Sequence, residues 1–272
     1  EEWNATNPYA EFFKLCETNT TIVTKCGLVD EKKLSTTEQK SALKKYQIFV
    51  DMNGLDNNIQ FFNNYRYTAF IPNNEAVQEA IANGLPTWEE IEADYNEMEP
   101  VVNSLDSLKD IMDNTDYVFV EEDSIMCDQL WEKAHADSIK IQAKITYLTN
   151  FIRYHFADNS IFADKSVRAE SEMVTSSYDK ELGLFCKLYV DRPGNDVLRV
   201  RDAYSNTMME TVGEKNVLAR DIECSLKPVG RPMATSGKKI TLDASSACVI
   251  HLIPGILNHT ELKNGRHDSE WA

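Results

Sequence analysis

The chain is 272 residues long and 42% apolar, which allows one large domain or two ordinary ones and excludes a globally disordered polymer. Its formal net charge of −16, with no basic run, argues against nucleic acid as a partner, because a phosphate backbone selects clustered Lys and Arg. No stretch stays apolar for the roughly 18 residues of a membrane span; residues 248–257 come nearest and are broken by His251 and Pro254, so no transmembrane segment is expected.

Asn7 and Pro8 open the first predicted helix, Asn7 as cap and Pro8 at the first helical position. Tyr9, Phe12, Phe13 and Cys16 then share one helical face. A second helix is predicted over 37–49, with Leu43, Tyr46 and Phe49 inward. Residues 65–71 read as a strand with Tyr67, Ala69 and Ile71 on one face, ended by Pro72. Asn73 or Asn74 can cap the helix that follows, and Glu75 suits its positive end. Val77, Ala80 and Ile81 face inward, Gly84 suits a left-handed C-terminal position, and Pro86 prevents the helix from resuming.

Residues 86–138 hold 16 acidic residues against two basic ones, Lys109 and Lys133, leaving 28 acids and 26 bases elsewhere. This segment therefore carries −14 of the −16, which marks it as a separate, solvated unit. Thr87 with Glu90 fits a capping box, so a helix begins there. Residues 116–122 read as a strand. Trp88, Ile91, Tyr95, Ile111, Phe119 and Trp131 call for burial within the segment.

The strongest helix is predicted over 137–154, capped by Asp137 or Ser138, with Ile141, Ile145, Leu148 and Ile152 in one stripe. Beyond it the period becomes two, with strands predicted over 182–191, 197–202, 216–226, 239–242 and 247–253 and a turn at 192–195. Helices first and antiparallel strands later give an α+β class.

Chemistry-bearing motifs are sparse. None of the six cysteines forms a C-x-x-C pair, which disfavours a zinc ribbon or a thioredoxin-like site. Cys186, in the alternating run Leu182, Leu184, Cys186, Leu188, Val190, reads as a small buried hydrophobe. A bridge between Cys16 and Cys26 stays open. The sequence contains no G-x-S-x-G, no H-E-x-x-H and no phosphate-cradling glycine loop, so neither catalytic residue nor cofactor is assigned. Glu121, Glu122, Asp123 and Asp128 offer oxygen ligands to calcium, but without a D-x-D-x-D-G loop a solvated acidic face is expected and no metal. Trp88, Tyr95 and Trp131 can make a sugar-stacking platform, though this spacing reads more readily as the segment's own core. Paired carboxylates in the acidic segment keep a glycan hydrolase as a rival to a binding protein, and a structural spacer domain is the other alternative.

Three blocks carry a family resemblance. Tyr67-Thr68-Ala69-Phe70-Ile71-Pro72-Asn73-Asn74-Glu75-Ala76 is similar to the T-V-F-A-P-T-N-x-A segment of the fasciclin-type domain family. Leu148-Thr149-Asn150-Phe151-Ile152-Arg153-Tyr154-His155-Phe156 resembles its L-x-x-x-L-x-Y-H block. Cys248-Val249-Ile250-His251-Leu252-Ile253-Pro254-Gly255-Ile256-Leu257 resembles its closing V-V-H-V-I-D-x-V-L strand. Asn73 stands in place of the usual Thr and Pro254 in place of the usual Asp. Residues 84–88 and 154–160 resemble the version in surface lipoproteins of gut-type Bacteroidetes, which often accompany outer-membrane glycan-uptake systems.

The resemblance implies one domain over 1–272, a β core of sandwich or wedge form with helices packed on it, and 86–138 as an acidic insertion. It implies Thr68, Pro72, Asn74 and His251 as structural motif residues. It also implies a non-enzymatic adhesion module outside the cytoplasm, secreted or on the outer membrane through a lipid anchor beyond this chain, with a glycan or protein partner. Tyr154 and His155 would then face the partner. The competing expectation is a buried His155 that hydrogen-bonds backbone and joins helix to sheet.

Overall fold

The structure, a computed structural model, describes residues 7–16, 66–179, 182–220, 247–268 and 271. Its helices are α1 (Ala10–Cys16), α2 (Asn74–Ala82), α3 (Trp88–Met112) and α4 (Glu121–Tyr154). Its strands are β1 (Arg66–Pro72), β2 (Phe156–Asp158), β3 (Arg168–Asp179), β4 (Leu184–Gly194), β5 (Val197–Arg201), β6 (Met209–Glu210), β7 (Val212–Arg220) and β8 (Ala247–Ile253). The fold is mixed α+β. Among the described residues, 7–14, 66–80 and those within 150–262 form one compact unit, and 15–16, 81–149 and those within 263–271 form a second.

The first unit contains every described strand, in one sheet of order β6-β5-β4-β3-β2-β1-β8-β7. β1 runs parallel to β8, with Tyr67 opposite Cys248 and Ile71 opposite Leu252, and antiparallel to β2. Flanked on both sides, β1 is buried from Tyr67 to Pro72 without alternation, as a central strand should be. The two edge strands, β6 and β7, are separated in the chain by Thr211 alone, so the sheet curls until it nearly closes. Thr211 N–H donates to Leu198 O at 3.0 Å and continues the ladder across that junction. Phe70, Tyr154, Leu188, Val190, Leu198 and Ile253 meet in the core of this unit.

The connection from β2 to β3 leaves the ladder after Asn159, whose N–H still donates to Arg66 O of β1 at 3.0 Å, so the backbone groups that follow need side-chain partners. Thr68 Oγ1 donates to Asn159 O and accepts from Ile161 N–H, both at 2.8 Å. His251 Nε2 lies 2.7 Å from Ile161 O. Asn216 accepts from Ala163 N–H at 2.7 Å and donates to Ala163 O at 2.8 Å. Asn216 sits at φ 59°, a left-handed position that Asn tolerates better than most residues.

Local capping follows the sequence closely. Asn73 Oδ1 accepts from Ala76 N–H at 2.9 Å and caps α2. Asn74 instead serves α1 from across the unit: its Oδ1 accepts from Glu11 N–H at 2.9 Å and its Nδ2 donates to Asn7 O at 2.8 Å. Gly84 takes φ 94° after α2, and Thr87 Oγ1 accepts from Glu90 N–H at 3.2 Å to cap α3. In the second unit α3 buries Trp88, Ile91, Tyr95, Met98 and Leu105, and α4 buries Ile141, Ile145 and Leu148.

Several expectations are corrected. The segment 116–122 is not a strand: Tyr117 Oη accepts from Val120 N–H at 3.1 Å and donates to Asp123 at 3.0 Å, which folds it into a turn leading to α4. α4 starts at Glu121 rather than near 137, and Ser138 lies inside it, donating to His135 O at 3.1 Å instead of capping. The first half of α4 lacks the apolar stripe that reveals helices, leaving Ile125 and Met126 exposed. Ile111 and Phe119 are likewise exposed, and Trp131 only half-buried. The hairpin turn falls at Asn195-Asp196, with φ 56° and 59°, and Pro193 sits in β4 beside a bulge at Gly194, where its missing N–H is tolerated. β3 went unpredicted because its residues are polar and its outer half is open on both faces. Leu182 and Leu184 lie on that open end, while Leu188 and Val190 reach the core. The predicted helix 37–49, the strand 239–242, the last part of 216–226, Cys26 and Cys224 lie outside the described residues.

If Asn216 clamps this connection, Asn216→Ala should lower stability by about 1–3 kcal/mol in urea unfolding. Asn216→Gly, which tolerates φ 59°, should lose about 1 kcal/mol less. Equal midpoints for wild type and both variants would show that the clamp is idle.

Candidate functional site

Two places concentrate polar side chains: the tyrosine–histidine block of the first unit and a cleft in the second. At the block, Tyr154 and His155 are the last helical residue and the turn after it, and both are buried. Tyr154 Oη donates to Lys187 O at 2.5 Å and accepts from Ala203 N–H at 3.2 Å. Burial raises its phenol pKa well above the usual range. His155 Nε2 accepts from Leu257 N–H at 3.1 Å, so the proton of the neutral ring is on Nδ1, which donates to Phe151 O at 2.9 Å. The rings of Phe12 and Phe151 lie 4.9 and 4.8 Å from it. Burial pushes the His155 pKa down to about 4, only partly opposed by the bond to Phe151. The partner-facing expectation for this pair is thereby corrected: neither side chain reaches solvent, because each is consumed in joining the end of α4 to backbone.

The four structural motif residues are all in backbone contacts of the first unit. Thr68 and His251 hold Ile161, Pro72 ends β1 opposite Ile253, and Asn74 holds the start of α1. His251 stacks on Phe70 at 5.8 Å, and burial lowers its pKa. Asp202, which sequence reading passed over, is buried; it accepts from the N–H groups of Tyr204 and Ser205 through one oxygen and of Asn258 through the other, at 2.9, 2.6 and 3.0 Å.

The expected aromatic platform does not assemble. Trp88 is buried with Nε1 donating to Leu15 O at 2.8 Å, and Tyr95 is buried beside Glu99. Trp131 stacks on His135 one helical turn along, at 4.7 Å and 13°. Among the described residues, no three His, Cys, Asp or Glu side chains converge as a metal site. Burial also raises the Cys186 thiol, which keeps it from being a reactive thiolate.

The cleft has a volume of about 240 Å³ and is lined by Asp94 and Glu97 of α3, Asp137, Lys140, Ile141 and Lys144 of α4, and Trp271. The α4 residues follow spacings of three and four, so they form one helical face. Lys144 is fixed by Glu90 at 2.5 Å and Asp94 at 2.6 Å. Burial works to lower its pKa, but the bonds to Asp94 and Glu90 together raise it above the ordinary lysine value. Trp271 packs edge-on against Tyr147 at 4.9 Å, and Tyr147 Oη pairs with His267 Nδ1 at 2.9 Å. His267, held through its N–H on Asn83 O at 2.9 Å, is also pushed down to about 4 by burial. The cleft thus combines an indole and an isoleucine with carboxylates and ammonium groups that can hydrogen-bond a polyhydroxylated ligand. Trp271 is distant in sequence from α3 and α4, so no local motif announces this site. Set against known protein families, curated proteins and solved structures, the chain matches none.

His155 gives the fold an acid limit. Its folded pKa of about 4 lies below the ordinary 6.5, so between these values the unfolded chain binds a proton that the folded chain refuses. Its contribution should be full above about pH 6.5 and fall as pH drops toward 4, by up to about 3 kcal/mol. His155→Ala should cost about 1–3 kcal/mol at pH 7 by stranding Leu257 N–H, and should flatten this acid slope in a urea-unfolding series from pH 7 to 4. A variant with an unchanged slope would refute the assignment.

Proposed function

We propose that this chain is a fasciclin-type, non-enzymatic interaction module acting outside the cytoplasm at a bacterial surface, and that the cleft of its second unit holds one sugar ring of a neutral glycan. The cleft geometry carries this reading. At about 240 Å³ it falls just short of the roughly 300 Å³ where pockets for drug-sized ligands begin, and so suits a single ring. Trp271 offers an aromatic face for the apolar side of a pyranose, and Asp137, Glu97 and Lys140 supply acceptors and donors for hydroxyls. The surplus of −14 on residues 86–138 repels acidic polysaccharides, which favours neutral ones.

The scaffold reading is supported by the places of Thr68, Pro72, Asn74, His155 and His251, all spent on backbone contacts as residues of a rigid core would be. No helix among the described residues is long and apolar enough to cross a membrane, so attachment belongs to a lipid anchor in this proposal. An address beside an outer-membrane glycan-uptake system follows from the resemblance of residues 84–88 and 154–160.

A second reading has one observation behind it: Asp94, Glu97 and Asp137 line the same cleft, as paired carboxylates of a glycan hydrolase would. Against it, Asp94 is already engaged by the ammonium of Lys144.

A glycan array followed by calorimetry on the full chain separates these readings. A neutral oligosaccharide should bind, Trp271→Ala and Asp137→Asn should each weaken it about tenfold, or about 1.4 kcal/mol, and the sugar should be recovered intact. Release of reducing ends that Asp137→Asn abolishes would establish the hydrolase instead. Binding unaffected by both substitutions would remove the cleft from recognition.

A further inference from the structure

The turn joining α3 to α4 exposes more apolar surface than a solvated acidic lobe requires. Val118 is 80% and Phe119 69% exposed, and Ile111, Val120, Ile125 and Met126 are open around them. Exposed apolar side chains gathered on one turn and the helix ends that flank it are the kind of surface that marks an interaction site, whereas singly scattered ones are not.

The turn is also held in shape. Tyr117 N–H donates to Asn114 O at 3.0 Å, and Asp116 N–H to Asn114 Oδ1 at 3.1 Å. The Tyr117 hydroxyl ties Val120 N–H to Asp123, which fixes the backbone on both sides of Val118 and Phe119. An apolar tip presented on a pre-ordered turn spares the ordering entropy that a floppy loop would lose on binding.

Charge decides what it fits. Residues 110–128 contain Asp110, Asp113, Asp116, Asp128 and the run Glu121-Glu122-Asp123, seven carboxylates with no Lys or Arg among them. This collar repels the anionic headgroups of a lipid surface. It equally repels the tip of a second copy of this chain. Both apolar and electrostatic complementarity are met by a protein surface with an apolar strip flanked by lysines or arginines. We propose that the Val118–Val120 tip and its acidic collar dock such a basic, apolar-centred surface on a partner protein, independently of the sugar cleft.

The test uses the full chain and a labelled synthetic amphipathic helix with leucines on one face and lysines flanking them. It should bind, more weakly as salt rises, and hydrogen exchange should show new protection centred on 114–124. Val118→Ser with Phe119→Ser should weaken binding at least about tenfold, and so should Asp116→Asn with Glu121→Gln and Glu122→Gln. The same loss of three charges in the first unit, through Glu75→Gln, Glu79→Gln and Glu214→Gln, should change binding less than about twofold. Should the double serine variant fold poorly, Val118→Ser alone carries the readout at the more exposed position. The proposal is overturned if the peptide fails to bind, if the serine variants bind as wild type does, or if the first-unit control weakens binding equally. Binding of phosphatidylglycerol or phosphatidylcholine vesicles through the tip would overturn it too. A sugar that still binds Val118→Ser normally separates this surface from the cleft.

Discussion

The first unit depends on one buried imidazole. His155 receives Leu257 N–H on one nitrogen and donates from the other to Phe151 O, while its own backbone carbonyl accepts from Phe70 N–H at 2.9 Å. The end of α4, the middle of β1 and the segment after β8 therefore meet at a single residue. A ring with one donor and one acceptor suits this place, and a charged ring, with two donors, cannot accept from Leu257. The apolar enclosure by Phe12 and Phe151 then favours the form that the hydrogen bonds require.

The same logic recurs where the sheet hands over from β2 to β3. The chain leaves the ladder after Asn159, and Thr68, His251 and Asn216 supply the partners that a strand would have supplied. Two of these residues stand on the paired strands β1 and β8, where the parallel register sets Thr68 opposite Val249 and His251 opposite Phe70, two residues further along. The parallel register thus does more than bury apolar surface: it aligns two polar side chains on Ile161. Tyr154 and Asp202 extend the pattern to the loop after β5.

Much of this was legible in the sequence, wherever a local rule governs. Asn73, Gly84 and Thr87 announce the ends of their helices, since caps involve neighbours in the chain. The stripe of Ile141, Ile145, Leu148 and Ile152 marks the half of α4 that packs. Where packing is absent the signal vanishes, and so the first half of α4 and the outer part of β3 were missed. Val118-Phe119-Val120 reads as a strand by propensity, yet among the described residues no partner strand meets it, and Tyr117 wins the turn instead. The cleft was not legible, because Trp271 joins Asp94 and Lys140 only through tertiary structure. Trp88 and Tyr95, for which the sequence leaves both a sugar platform and a core open, are buried in the second unit.

The structure therefore divides its labour. Buried polar side chains of the first unit make a rigid scaffold, and the acidic second unit bears the cleft and the open tip. The proposed recognition on the second unit goes with a structural tyrosine–histidine block, in which His155 is neutral and closed to solvent. The most direct measurement is the nitrogen chemical shifts of the His155 ring, followed by NMR from pH 8 to 4.5 in the folded chain. A protonated Nδ1 and an unprotonated, hydrogen-bonded Nε2 that persist through this range are the expected result. Titration near pH 6.5 with both nitrogens protonated would mean an accessible imidazole and would contradict the account.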